Sequence, residues 1–386
     1  MKLLKIKANG LPLFNQACEI DFVATQRVSP DNMEKMNLLF SKGPKNFFLN
    51  NVISFIGINA SGKTTILKLI AFVCKMLNNE GINHISYNEI LDGMLSGDKV
   101  DFDTYFSVEN NIYLLHTCIV KGEKKFTIKD EFLKVKPLAK IKSKTDIFVF
   151  DDAETLMIRN NDEAFLLDDV SIMVAYNKQF KDLLVVADML QYTNINRLSI
   201  SRDCPPELIA FFDPSIEYLH VKKKDKDTDI CLKFKGKKEI VLNHFSELNR
   251  YLSSGTIKGI NTFLNAIKTF KSGGYLIVDE LENHFNHEIV STLIRFYLDK
   301  KVNTGGAVML FSTHYAELLD EFERNDNIYI VRNRNGITAE NLSTILKRND
   351  IKKSEAYQSG FLEGTVPMYD AYMALKSSII CSQKED

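Results

Sequence analysis

Two short runs of alternating apolar and polar residues open the chain, "LLKIKAN" and "QACEIDF", separated by Gly10-Leu11-Pro12. Alternation with period two around a glycine-proline break predicts an antiparallel strand pair. The polar stretch "SPDNMEKMN" reads as a loop. After it, "NVISFIGINASGKTTILKLIAFVCKML" passes from a short apolar strand through a glycine-rich turn into a helix. Its 3.6-residue periodicity puts Ile66, Leu67, Ile70, Ala71 and Cys74 on the buried face. Alternation returns over residues 100–133, with turn signals at Glu109-Asn110-Asn111 and Gly122-Glu123, and predicts several antiparallel strands.

A mixed segment, expected helical in "NKQFKDLLVVADML", runs to about Ser201 and looks like an insertion. Residues 221–241 form a charged hairpin with eight lysines set against Asp225, Asp227, Asp229 and Glu239. A solvated loop and a contact with a partner or nucleic acid both fit that composition. From Ser246 onward helices and strands alternate: a helix after "LSSGT", the strand "GYLIVDE", the helix "HEIVSTLIRFYL", the strand "AVMLFSTH", a further helix and the strand "NIYIVRN". Such alternation predicts an α/β fold with a parallel sheet.

With 386 residues and 45% hydrophobic content the chain can bury a sizeable core. A net charge of −1 provides no global field for nucleic acid, so any such contact needs a local patch. The six cysteines lack metal-ligand spacing, and no run of about 18 apolar residues occurs. A cytoplasmic protein with no membrane partner is expected.

Candidate chemistry sits in three strand-end motifs. Gly57-Ile58-Asn59-Ala60-Ser61-Gly62-Lys63-Thr64 fits G-x-x-x-x-G-K-[ST] between a predicted strand and a predicted helix. The glycines let backbone amides approach a β-phosphate. Lys63 reaches the β- and γ-phosphates, and the Thr64 hydroxyl suits Mg²⁺. Gly57, Asn59, Ala60, Ser61, Gly62, Lys63, Thr64 and Thr65 are therefore the candidate contacts to ATP. "YLIVDE" ends an apolar strand with Asp279, a candidate for the Mg²⁺ shell, and Glu280, a candidate to orient or deprotonate the attacking water. "VMLFSTH" ends with His314, expected to sense the γ-phosphate. A second glycine-containing turn, Ser253-Ser254-Gly255, opens a helix and could bind an anion at its N-terminus. His284 and His287 follow Glu280 closely but lack a metal-ligand pattern, and Asp151, Asp152 and Glu154 read as a solvated turn.

Taken in order, "GINASGKT", "LSSGT", "YLIVDE" and "STH" resemble the ABC-type ATPases, in the branch that contains RecF, SMC/Rad-type and OLD-like proteins. The resemblance covers residues 1 to about 340. It implies an ATPase domain over about 1–345, with a first lobe containing an N-terminal antiparallel β subdomain to about 140, an insertion to about 240 and a signature lobe beyond. A short helical cap then occupies 346–386. It also implies a head-to-tail dimer, or higher oligomer, sandwiching two ATP molecules. Ser253, Ser254 and Gly255 of one chain would then meet the γ-phosphate held by the other, and "ENHFN" from Glu282 would cross the interface.

The chain departs from the relatives in three ways. No glutamine stands between the phosphate loop and the predicted strands to link nucleotide and insertion. The insertion is too short for a long coiled coil, and no room remains for a Toprim nuclease domain. The compact form with a cap ending in G-x-x-P looks most like the ATPase subunits of PARIS-type, AbiL-type and retron-associated anti-phage systems. That likeness implies a sensor or scaffold controlling a toxic effector encoded alongside; a RecF-like DNA-maintenance ATPase is the alternative.

Overall fold

The computed structural model describes the chain except residues 161–165, 182, 197, 199–203, 224–227, 284, 349, 366–368 and 383–386. The described residues form a mixed α/β architecture with two six-stranded sheets, a three-stranded sheet and a two-stranded one. None of its helices is long and apolar enough to cross a membrane.

The N-terminal sheet is antiparallel and runs in the order Cys18–Asp21, Lys2–Asn9, Lys99–Val108, Asn111–Lys121, Phe126–Pro137 and Glu154–Ile158. The expected opening pair forms, with Lys5 opposite Asp21 and Ala8 opposite Cys18. The central sheet runs Val186–Asp188, Tyr275–Val278, Val308–Thr313, Val52–Ile56, Ile328–Asn333 and Ile337–Asn341. Its first five strands are parallel and the last is antiparallel.

Strands covered on both faces read as continuous apolar runs, which is why "VISFI" and "YLIV" show no alternation. Their neighbouring side chains still part company. Ile53, Phe55, Tyr275 and Ile277 face one core, while Val52, Ile56, Leu276 and Val278 face another. The first core also takes in the N-terminal sheet and helix Lys63–Leu77, which lies between the two sheets. All five residues expected on its inner face are buried, and so are Leu69, Phe72, Val73, Met76 and Leu77, as a helix clasped from both sides requires. Helices Ser254–Ser272 and His287–Leu298 contribute to the opposite core. Two buried tyrosines tie the sheets together: Leu3 N–H donates to Tyr275 Oη at 2.7 Å and Asp21 N–H to Tyr329 Oη at 2.8 Å.

Three expectations are corrected. In "NKQFKDLLVVADML" the helix spans only Met173–Phe180 and stops at Lys181, whose φ is +54°. Val186–Asp188 is instead the edge strand of the central sheet, because Tyr275 N–H and the Met189 N–H hydrogen bonds with Val185 O and Ile277 O draw it into the ladder. Pairing with a buried neighbour outweighs local periodicity. The polar "SPDNMEKMN" contains the short helix Pro30–Met33 and leads into a hairpin, Asn37–Lys42 with Lys45–Leu49. The helix expected after "AVMLFSTH" is a 3₁₀ segment, Ala316–Glu321.

Within the stretch expected as an insertion, Glu154–Ile158 extends the N-terminal sheet and Val186–Asp188 the central one. Ile216–Lys223, Thr228–Phe234 and Ile240–Leu242 form the small sheet that includes the charged hairpin. Lys224, Asp225, Lys226 and Asp227 at its turn lie outside the described residues, as do Val366 and Pro367 of the cap's G-x-x-P. The cap's helix Lys353–Gln358 packs Ala356 and Tyr357 into the second core, and helix Tyr369–Ser382 follows.

Candidate functional site

All five parallel strands end on one edge of the central sheet, and the loops that leave those ends converge there. From Val52–Ile56 the chain turns through residues 57–62 into helix Lys63–Leu77. A Cβ at Gly57 would stand 2.4 Å from both Ser61 Oγ and Val331 O, and one at Gly62 would stand 2.6 Å from the Ile337 side chain. Gly62 also has φ +100° and Ala60 φ +61°. Packing against the Ile328–Asn341 hairpin therefore demands glycine at both ends of the turn. Left-handed residues alternating with ordinary ones, as at Ala60 and Gly62, aim backbone N–H groups toward one point, a concavity for anions.

The Lys63 side chain lies under this turn. Its Nζ donates to Gly57 O at 3.0 Å and Ile58 O at 3.2 Å, and stands 3.4 Å from His314 Nδ1. Burial pushes its ammonium below the usual lysine range, opposed by the carboxylates of Asp279, Glu282 and Glu280. The Thr64 hydroxyl donates to Asp279 Oδ2 at 2.8 Å. A hydroxyl and a carboxylate joined at that distance are hard oxygen donors of the kind that suits Mg²⁺.

Ser312, fully buried at the end of its strand, binds the neighbouring strand twice. Its hydroxyl donates to Asp279 Oδ1 at 2.5 Å and accepts the Glu280 N–H at 2.7 Å. Glu280 itself sits at φ +48°, a backbone region that side chains avoid unless their surroundings impose it. Its Oε1 lies 3.9 Å from His314 Nε2, and the His314 N–H donates to Glu282 Oε1 at 2.6 Å.

These groups border an open cleft of about 740 Å³. Asn59, Ala60, Ser61, Gly62, Lys63, Thr64, Thr65, Glu280 and His314 line it, with Gly57 bonded to Lys63 and Asp279 bonded to Thr64. Pro12, Leu13, Asn333, Asn335, Gly336 and Ile337 also line it, and Asn333 Nδ2 donates to Ala60 O of the turn at 3.3 Å. The chain thus brings together residues far apart in sequence, while Pro12, Leu13, Asn333 and Asn335, which also line the cleft, carry no motif that could have announced them.

Ser253, Ser254 and Gly255 do not line this cleft. Ser253 caps helix Ser254–Ser272 by accepting the Thr256 N–H at 3.0 Å, so the turn does form a helix N-terminus as expected. One turn on, Lys258 donates to Thr193 O at 2.5 Å, and Asn283, three residues past Glu280, reaches the same carbonyl at 3.5 Å. The signature helix and the segment after Glu280 share that acceptor. Glu282, expected at an interface between chains, is buried against His314 within its own chain.

His284 lies outside the described residues, and His287 Nδ1 faces the Ser291 hydroxyl at 3.3 Å. Asp151, Asp152 and Glu154 flank an exposed or partly exposed turn. Among the described residues no cluster of three or more His, Cys, Asp or Glu side chains could hold a metal ion.

Ser312→Ala is expected to lower any turnover at this site about tenfold and to raise the Mg²⁺ concentration needed for half-maximal rate, because Asp279 and the Glu280 backbone lose their shared anchor. A Mg²⁺ titration of kcat checks it, with Ser312→Thr restoring most of the loss; an unchanged Mg²⁺ response in the alanine variant would deny Ser312 the role. No family model matches the chain, and no curated protein matches it.

Proposed function

We propose that the protein is an ABC-type ATPase of the RecF, SMC and OLD-like branch, which binds ATP with Mg²⁺ and hydrolyses it to ADP and phosphate. The observation that carries this reading is the convergence of Lys63, Thr64, Asp279, Glu280 and His314 on one cleft at the carboxyl edge of a parallel sheet. In this reading the 57–62 turn cradles the phosphates and Lys63 exchanges its carbonyl partners for phosphate oxygens. Thr64 and Asp279 would hold Mg²⁺, which when bound neutralises phosphate charge. Glu280 orients the attacking water and takes its proton, and His314 contacts the γ-phosphate. Pro12 and Leu13 offer an apolar surface, and Asn333 and Asn335 polar groups, to the base and sugar.

The position of Ser253, Ser254 and Gly255 outside the cleft supports their service to a second copy's nucleotide, in a head-to-tail sandwich. Ser254→Arg should therefore abolish ATP-dependent dimerisation yet leave single-chain ATP affinity within about twofold. Light scattering of the variant with ATP and Mg²⁺ checks this; a dimer that still forms on ATP addition overturns the trans arrangement.

At the cellular level we place the chain as sensor or scaffold subunit of an anti-phage complex that controls a separate toxic effector. The test is the mass of the complex that co-purifies from the native operon with ATP and Mg²⁺, with and without Glu280→Gln. A heteromer containing a non-ATPase protein supports the proposal, and a bare homodimer retaining DNA favours the DNA-maintenance alternative. That alternative draws on the exposed Lys222, Lys235, Lys237 and Lys238, although Glu239 partly answers Lys222 at 3.9 Å.

A further inference from the structure

Helix Tyr369–Ser382 is fourteen residues long and not one of them is buried. It nevertheless exposes Tyr369, Tyr372, Met373, Leu375, Ile379 and Ile380 at 38 to 72%. At 3.6 residues per turn these six fall on one arc of about 160°, while Asp370, Ala371, Ala374, Ser377, Ser378 and Ser382 take the other side. Contiguous exposed apolar surface of this kind marks an interaction site. A helix of this length is also marginal alone in water, so an apolar partner is what holds it folded.

The pattern within the arc points to the partner. Spaced as a heptad, Tyr369 and Lys376 occupy one seam position, Tyr372 and Ile379 the other, with Met373, Leu375 and Ile380 flanking. In a parallel pair of identical helices Lys376 would meet its own copy and repel it. In an antiparallel pair the two seam positions face each other, so Tyr369 meets Ile379 and Lys376 meets Tyr372, each contact occurring twice about a two-fold axis near residue 374. An ammonium against a tyrosine face is attractive, so the one charge in the arc becomes a self-complementary contact.

We propose that this helix pairs antiparallel with its copy in a second chain, forming a contact that needs no nucleotide and is separate from the ATP sandwich. The tether leading to it is fastened beside the cleft: Arg332 Nε donates to Glu363 O at 2.7 Å, Arg334 pairs with Glu363 at 3.3 Å, and the turn between that arginine's strand and the next lines the cleft. A pair of four-turn helices buries about 1,000 Å² in total, the lower limit for a specific interface, so the dimer is expected in the micromolar range.

Sedimentation velocity of the full chain without nucleotide, from about 1 to 100 µM, tests the proposal. The wild type is expected to pass from monomer to dimer, and Tyr372→Glu with Ile379→Glu to stay monomeric at all concentrations with an unchanged melting temperature, since neither residue packs into the body. A wild-type monomer throughout, including one that instead binds vesicles or another protein, overturns it, as does a double variant that still dimerises. Orientation is read separately with Cys381→Ser chains, the other five cysteines being buried. Oxidation should cross-link Tyr372→Cys chains to Lys376→Cys chains; cross-linking of Tyr372→Cys to itself alone would refute the antiparallel pair. Because nucleotide is absent, failure of the ATPase reading leaves this experiment intact.

Discussion

Glu280→Gln is expected to slow ATP turnover by ~10²–10⁴-fold while leaving ATP affinity close to wild type, as loss of a positioned general base does. The substitution keeps shape and hydrogen-bonding reach but removes the basic oxygen. Affinity should survive because the Glu280 side chain forms no hydrogen bond with Lys63, Thr64 or Asp279, whose bonds run to the 57–62 turn, to Ser312 and between Thr64 and Asp279. Its backbone N–H bond to Ser312 Oγ is also indifferent to the side chain, so the strained φ of +48° is retained. Single-turnover hydrolysis and equilibrium ATP binding, measured side by side, separate the two effects. Turnover within threefold of wild type would remove Glu280 from the chemistry and leave His314, 3.9 Å away, as the group to examine.

Lys63→Ala should weaken ATP binding by ~10²-fold or more. A lysine that bridges phosphate oxygens makes charge-assisted bonds worth about 1.5–3 kcal/mol each. Its removal also leaves Asp279, Glu280 and Glu282 without the cation they surround, so the site becomes more negative where a polyanion must enter. Calorimetric titration with ATP reads the loss. Lys63→Arg should recover little, because the Nζ sits between Gly57 O and Ile58 O, where a planar guanidinium does not fit the same two acceptors. A dissociation constant within threefold of wild type in the alanine variant would show that the 57–62 turn does not hold phosphate.

Much of the site could be read from the chain because its parts are local. "GINASGKT" carries its own turn, with glycine where φ is +100° at Gly62, and its flanking strand and helix have unambiguous patterns. "YLIVDE" and "VMLFSTH" end apolar strands, and parallel strands bring such ends to one edge. Ser312 was visible as a neighbour of His314, but its bonds to Asp279 and Glu280 depend on the register of two strands thirty residues apart. The strand Val186–Asp188 stayed hidden because "LLVVADML" carries helix-like spacing and becomes a strand only when Tyr275–Val278 is there to pair with it.

The sequence by itself determined the glycine-rich turn, the two carboxylates and the histidine at strand ends, and the alternating strands of the N-terminal sheet, since each depends on residues close together in the chain. Only the tertiary structure decided which strands are neighbours, that Pro12, Leu13, Asn333 and Asn335 line the cleft, and that Glu282 turns inward to His314. It also decided that helix Tyr369–Ser382 is left with its apolar arc uncovered. The physical reason is the same in each case: pairing, wall-building and burial are contacts between segments far apart in sequence, and their energies depend on where the partner segment lies rather than on the local pattern.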